Sequence, residues 1–364
     1  MNEVFNPKKI AIIGTGNIGT QFACVCSKKG YEVNLYSSKP QLFGDKLALH
    51  DGDDNSVTEV GISLVSDDIS AVLDGCDVAF VTHPAFMFES LAQKMLPYVK
   101  NGMYVGIVPG IGGAEYAFKP LIEKGVILFG LQRVPAVARL IKYGEAVGIS
   151  GKRGRLHVAS IPKNDFIADF ISRLFDVPCD MLPNYLCVTL TPSNPILHTT
   201  RLYTLFKDYS EGKVYLVNPK FYNEWTDETS ELLIACDAEL QELCKRLDKL
   251  DLKNVVSLKI HYESDTAEAL TKKMISIKSL SALYSPMIEV EGGYIPDFNS
   301  RYFTADFPYG LAIIKQIADL AGFEVPYVTK TLNWYRDVTG DKTAFSLEKY
   351  GIKSKEDLYD FYNK

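Results

Sequence analysis

From residue 8 to about residue 185, short β-branched apolar runs alternate with longer amphipathic segments. That alternation is the pattern of βαβ units around a parallel sheet. The strand candidates are KIAIIG (9–14), EVNLYS (32–37), DVAFVTH (77–83), MYVGIVP (103–109), VILFGL (126–131) and LHVASI (156–161). Several lack polar alternation, as strands covered on both faces do. Between them, residues 89–100 and 165–175 carry apolar side chains at three- and four-residue spacing, which suits helices lying on the sheet. Past about residue 186 the texture changes, and 228–247, 266–283 and 309–322 read as longer helices with few strand-like runs between them. The pattern predicts an N-terminal α/β domain over residues 1–186 and an all-helical domain over 187–364.

Two domains also suit the length, because 364 residues exceed the roughly 250–300 at which single cores stop growing. With 47% hydrophobic and 23% charged residues the composition is that of a soluble globular protein. No apolar run approaches the roughly 18 residues that a membrane span needs, so no membrane partner is expected. The opening MNEVFNPKK passes straight into a strand pattern without the tripartite layout of a secretory signal, which predicts a cytoplasmic protein. Seven cysteines, an odd set without C-x-x-C spacing, read as buried free thiols rather than a metal or disulfide framework. A net charge of −6 with no basic stripe argues against nucleic acid and favours small molecules as partners.

Candidate chemistry starts at Gly14, Gly16 and Gly19, a G-x-G-x-x-G turn behind the strand KIAII and ahead of the helical NIGTQFACVCSKKG. In that context the glycines mark a Rossmann-type dinucleotide site. Gly14 allows the tight turn, Gly16 lets the backbone approach a pyrophosphate, and Gly19 lets the helix pack on the strand. Asn17 and Ile18 open that helix, whose free amides suit the anion. The adenosine ribose should be read at the end of the second strand, where an acid marks NAD. Here Ser37, Ser38 and Lys39 offer two hydroxyls and an ammonium, which suit a 2′-phosphate. NADP is therefore the expected cofactor, with NAD as the alternative. Thr82 and His83 close the third strand candidate, where the chain should pass the nicotinamide ribose, and a backbone-positioning or cofactor-contact role suits His83 better than catalysis.

In the second domain, CVTLTPSNPILHTTRLY (187–203) places Asn194 as a helix cap, Pro195 at the first helical position and His198 just inside, facing the cleft between domains. DFNSRYFTADFPYGL (297–311) carries Arg301, Thr304 and Asp306 at a helix entry. An arginine can clamp a substrate carboxylate, and an aspartate can hold a histidine in the tautomer that proton transfer needs.

GTGNIG, LQRVPAVAR (131–139), SNPILHTT (193–200) and NSRYFTADFPYGL (299–311), in that order, resemble the octopine/nopaline (opine) dehydrogenase family. The resemblance implies a Rossmann domain followed by an all-helical domain, with the active site between them. It implies NAD(P)H-dependent joining of an amino acid's amino group to an α-keto acid, commonly pyruvate, with reduction of the imine to a secondary amine. By the same resemblance His198 and Asp306 form the proton-transfer pair and Arg301 binds the keto-acid carboxylate, with Asn194, Thr304 and Arg133 as further substrate contacts. Two positions depart from the family pattern: Thr199 stands where many relatives carry proline, and Ala305 where an acid is common. The alternatives are another Rossmann-plus-helical reductase, of the ketopantoate or 3-hydroxyacid type, and a non-catalytic NADPH sensor. A homodimer is one assembly open to the chain.

Overall fold

The computed structural model describes residues 5–341 and 345–363. The opening tetrapeptide of MNEVFNPKK lies outside them. The chain forms two compact units, residues 1–189 with 362–364 and residues 190–361.

The first unit is built on an eight-stranded sheet. Its strands are β1 (Lys9–Ile13), β2 (Glu32–Tyr36), β5 (Leu64–Ser66), β6 (Val78–Val81), β7 (Tyr104–Ile107), β8 (Ile127–Leu131), β11 (Leu156–Ile161) and β12 (Cys179–Met181). A second sheet takes β3 (Lys46–Asp51), β4 (Ser56–Gly61), β9 (Val137–Lys142) and β10 (Ala146–Ser150). In the large sheet the order is β12-β11-β8-β7-β6-β1-β2-β5, so the order reverses at β1. The turn leaving β1 thus occupies the switch point at which open α/β sheets bind ligands.

All six expected strands form. The sheet is parallel from β8 to β5, but β11 runs antiparallel to β8, a departure from an all-parallel layout. A parallel neighbour needs a long crossover, usually a helix, and the β9–β10 hairpin stands in its place between β8 and β11. The four-stranded sheet was absent from the sequence expectations. Helix α1 (Asn17–Lys28) packs against strands of both sheets, which is why Gly19 through Cys24 are all buried. Cys24 and Cys26 are both enclosed there, and burial pushes the Cys24 thiol up to about 12. None of the seven cysteines forms a disulfide among the described residues, and Cys179 and Cys244 are only partly buried.

Helices carry the second unit, chiefly Ser193–Phe206, Asp227–Arg246, Ala267–Ser276, Ala312–Leu320 and Pro326–Thr339. One element departs from an all-helical layout, the hairpin of β13 (Met287–Val290) and β14 (Gly293–Pro296). Its Gly292–Gly293 turn and closing Pro296 mask it, since short runs between glycine and proline read as loop. The helix pattern at 309–322 opens with a π-helical turn, Phe307–Leu311, before Ala312.

A buried acid ties together distant parts of the first unit. Glu115, in the short helix Ala114–Ala117, accepts hydrogen bonds on Oε1 from the hydroxyls of Thr189 and Tyr362, the latter at 2.6 Å. Its Oε2 has no partner among the described residues. Burial pushes its carboxyl from the ordinary 4.5 to about 7, against the opposing pull of the two hydroxyls. Between those values the folded chain holds a proton that the unfolded chain has lost, so stability falls as pH rises through that window and levels off above it. At about 1.4 kcal/mol per pKa unit the loss is on the order of 3 kcal/mol. We predict that Glu115→Gln removes this fall: denaturant midpoints of wild type should drop more steeply from pH 5 to 7.5 than those of the variant. Parallel curves would exclude Glu115 as the group.

Candidate functional site

In the first unit, the turn after β1 is shaped by what its glycines lack. Gly14 has φ +112° and donates its N–H to the Tyr36 carbonyl at 3.2 Å, tying the turn to the end of β2. A β-carbon on Gly19 would lie 1.9 Å from the Gly14 carbonyl oxygen, so only glycine lets α1 begin this close to the turn. Around Gly16 the position of a β-carbon is open, with no atom within 4 Å. Helix α1 starts there, its first turn contains no acid, and the amides of Asn17, Ile18 and Gly19 precede the bond from Thr20 N–H to the Gly16 carbonyl. Free amides, a positive helix end and unfilled space fit a pyrophosphate.

The neighbouring side chains have distinct tasks. The Asn17 side chain accepts through Oδ1 from the Leu140 N–H at 2.8 Å, which ties the start of α1 to β9. Thr82 and His83 lie over Gly14, where a β-carbon would sit 2.8 Å from the Thr82 hydroxyl and 3.0 Å from the imidazole. His83 Nδ1 lies 3.0 Å from the Ile13 carbonyl, which requires a proton on Nδ1. Burial lowers the pKa of that imidazole, with the bond to Ile13 opposing, and His83 is a neutral brace for the turn. At the end of β2, Ser37 is buried while Ser38 and Lys39 are exposed. The Ser37 hydroxyl meets those of Thr15, at 3.2 Å, and Tyr143, at 3.1 Å. Tyr143, on the β9–β10 turn, went unnoticed in the sequence because nothing there links residue 143 to residue 37. Arg133 follows β8 in this unit and is half-buried.

In the second unit, helix Ser193–Phe206 has Pro192 at its cap. Asn194 therefore sits in the first turn rather than capping it, and Pro195 follows inside that turn, where no amide is missed. The helix begins two residues earlier than the cap preference of asparagine suggested, because Pro195 is tolerated anywhere in the first turn, where its missing N–H has no partner to lose. His198, one turn in, lies 2.8 Å through Nδ1 from Asp306 Oδ2 and 2.9 Å through Nε2 from the Tyr222 hydroxyl. The His198 and Asp306 side chains are only 11% and 12% exposed. A carboxylate can only accept, so Nδ1 carries a proton, and Nε2 faces the Tyr222 hydroxyl. Partial burial strengthens both bonds, and the Tyr302 ring packs edge-on at 4.6 Å.

This pairing depends on a close approach. A β-carbon on Gly310, within the π-helical turn that follows Asp306, would fall 2.9 Å from Pro195 Cβ. Arg301 opens the short helix Arg301–Thr304 and is exposed; its guanidinium makes no hydrogen bond or ion pair among the described residues. The Thr304 hydroxyl donates to the Ser300 carbonyl at 3.2 Å. Lys207 is paired with Glu228.

Tyr222 is held by an arginine that no sequence motif marks. Arg201, 2% exposed, donates to the carbonyls of Phe221 (3.0 Å), Glu224 (2.7 Å) and Lys220 (3.4 Å). Burial lowers its pKa to about 10, which leaves it charged at neutral pH. Its guanidinium lies over Trp225, which stacks on Tyr222 at 6.2 Å and 9°. In the sequence, only the aromatic density of FYNEW (221–225) could have drawn attention to this loop.

Two family profiles match the chain. One is the α-helical domain of NAD/NADP octopine/nopaline dehydrogenase, over residues 181–339, and the other the N-terminus of NAD-dependent glycerol-3-phosphate dehydrogenase, over 9–123. Octopine dehydrogenase of Mizuhopecten yessoensis is 26% identical, spanning 91% of this chain and 90% of that protein. Opine dehydrogenase of Haliotis discus hannai is 25% identical, spanning 80% and 77%. The solved structure of octopine dehydrogenase with NADH and L-arginine shares the fold, with a TM-score of 0.83 at 23% identity over 96% of this chain and 97% of that one.

Gly310→Ala forces Pro195 away and parts His198 from Asp306. We predict a stability loss of about 1–3 kcal/mol, the usual scale for overpacking. The low-field imidazole proton resonance, assigned as the one lost in His198→Asn, should disappear as well. A variant that keeps that resonance would remove the dependence on Gly310.

Proposed function

Because the chain belongs to the octopine/nopaline (opine) dehydrogenase family, we propose that it condenses the amino group of an amino acid with a pyruvate-like α-keto acid and reduces the imine to a secondary amine. NADPH is the proposed preferred reductant. One observation carries this reading: the buried His198–Asp306 pair, with the exposed Arg301, which has no ion pair among the described residues, five positions before the aspartate.

Each residue type has a task in that chemistry. Attack on the keto carbon needs an amine without its extra proton, and neutral His198 takes it. The resulting carbinolamine loses water only if its hydroxyl is protonated, and the same imidazole returns the proton. Asp306 holds Nδ1–H throughout and stabilises the imidazolium between the two transfers. The Tyr222 hydroxyl is hydrogen-bonded to Nε2, so proton traffic at that nitrogen passes through or past it. Arg301 grips the keto-acid carboxylate and so fixes the adjacent carbon for reduction. The glycine turn and the amides of Asn17, Ile18 and Gly19 would hold a nicotinamide cofactor, which would supply the hydride when bound. At the end of β2 no carboxylate opposes a 2′-phosphate at Ser37, Ser38 or Lys39, and the last two are exposed. That is the support for NADPH.

The test is a panel of amino acids with pyruvate or 2-oxoglutarate and either reduced nucleotide, followed by loss of nucleotide absorbance and by product mass. Oxidation should require both organic substrates and give their coupled, reduced product; oxidation with the keto acid alone would indicate a hydroxyacid dehydrogenase, and none at all a sensor. We predict that kcat/KM is higher with NADPH than with NADH. His198→Ala and Asp306→Asn should each lower turnover about 100-fold or more at unchanged nucleotide affinity. Turnover unaffected by both changes rules out the proton-transfer pair.

A further inference from the structure

We infer that Tyr143 is a specificity-determining residue of the nucleotide site, its hydroxyl reading the 2′ position of the adenosine ribose; this rests on the dinucleotide reading proposed for the glycine turn. Tyr143 heads the turn between β9 and β10, in the small sheet outside the eight-stranded one. Its hydroxyl lies 2.8 Å from that of Thr15 and 3.1 Å from that of Ser37, and those two are 3.2 Å apart. Thr15 stands between Gly14 and Gly16 of the phosphate turn, and Ser37 is the residue that follows β2. The triangle of hydroxyls therefore joins the two places a dinucleotide's adenosine ribose has to touch.

The tyrosine is fixed there by contacts to the same nucleotide-binding elements. Gly144, with φ +77°, brings the turn so near the segment after β2 that a β-carbon would lie 2.1 Å from the Leu42 carbonyl oxygen. Phe43 of that segment meets the Tyr143 ring edge-on at 5.2 Å. The Asn17 side chain, at the start of α1, holds the β9 backbone at Leu140. The adjoining Lys142 is paired with Glu145, which leaves Lys39 as the cation beside Ser37 without an ion pair among the described residues.

The chemistry differs from the usual acid at this place. A carboxylate only accepts, so it takes a ribose hydroxyl and repels a phosphate; a hydroxyl can accept from the first or donate to the second. Donation to a phosphate oxygen is charge-assisted and roughly twice as strong as a neutral bond. Removing the Tyr143 hydroxyl should thus weaken nucleotides that carry a 2′-phosphate more than those that do not.

Equilibrium titration of wild type and Tyr143→Phe with NADPH, NADH, 2′,5′-ADP and 5′-AMP tests this without turnover. We expect about tenfold weaker binding of NADPH and 2′,5′-ADP, with NADH and 5′-AMP changed less than about threefold. A thermal midpoint within a few degrees of wild type establishes that the variant is folded, and Tyr327→Phe, at an exposed tyrosine of the second unit, serves as the comparison. Equal changes in all four ligands, or a larger loss for NADH and 5′-AMP, overturn the inference. So does a wild type that binds NADH yet not NADPH, an outcome that leaves the dinucleotide reading standing. Failure of wild type to bind any of the four removes the dinucleotide reading itself.

Discussion

Both candidate sites depend on backbones approaching inside the radius of a β-carbon. In the first unit α1 begins so close to the preceding turn that Gly19 has no room for any side chain. In the second, Gly310 lets the π-helical turn seat itself against Pro195. Each approach brings functional groups to places that ordinary packing distances would not allow: helix amides to an open cradle, and a histidine to an aspartate 108 positions away. Close packing of this kind transmits even a methyl-sized change, because protein interiors have little free volume to absorb it.

The charged groups around His198 divide by solvent access. Arg201 is enclosed and its donors are met by main-chain carbonyls, so its charge serves to shape the loop that carries Tyr222. Arg301 is exposed and its donors remain available to an anion. Asp306 lies between these cases, shielded enough to strengthen its bond to His198 yet paired with a ring that can carry a positive charge. Buried polar groups that are fully met make a rigid frame, and an exposed guanidinium keeps the freedom to move that the enclosed one has lost.

Much of this was legible in the chain. KIAIIG, LHVASI and the other apolar runs gave strands because their periodicity is local, and the glycine spacing after β1 fixed the nucleotide turn. The small sheet was missed: KLALHD and AVGIS are short, and they pair with each other across about 100 intervening residues. His198 and Asp306 could be nominated from motifs, whereas Tyr222, Arg201 and Tyr143 could not. Their roles come from tertiary neighbours: a loop bent around a buried guanidinium, and a hairpin turn seated against the end of β2. Residue type alone also placed the cap of the 193–206 helix at Asn194, although the backbone puts Pro192 there.

The bond from Tyr362 to Glu115 has a consequence for how the chain is made. Tyr362 belongs to the first unit, while the preceding 172 positions, 190–361, form the second. On the ribosome, the nucleotide-binding unit emerges first, yet Glu115 and Tyr116 wait for a partner translated after the whole helical unit. The first domain to be synthesised is therefore the last to be completed, and until then a buried carboxyl lacks one of its two hydroxyl donors.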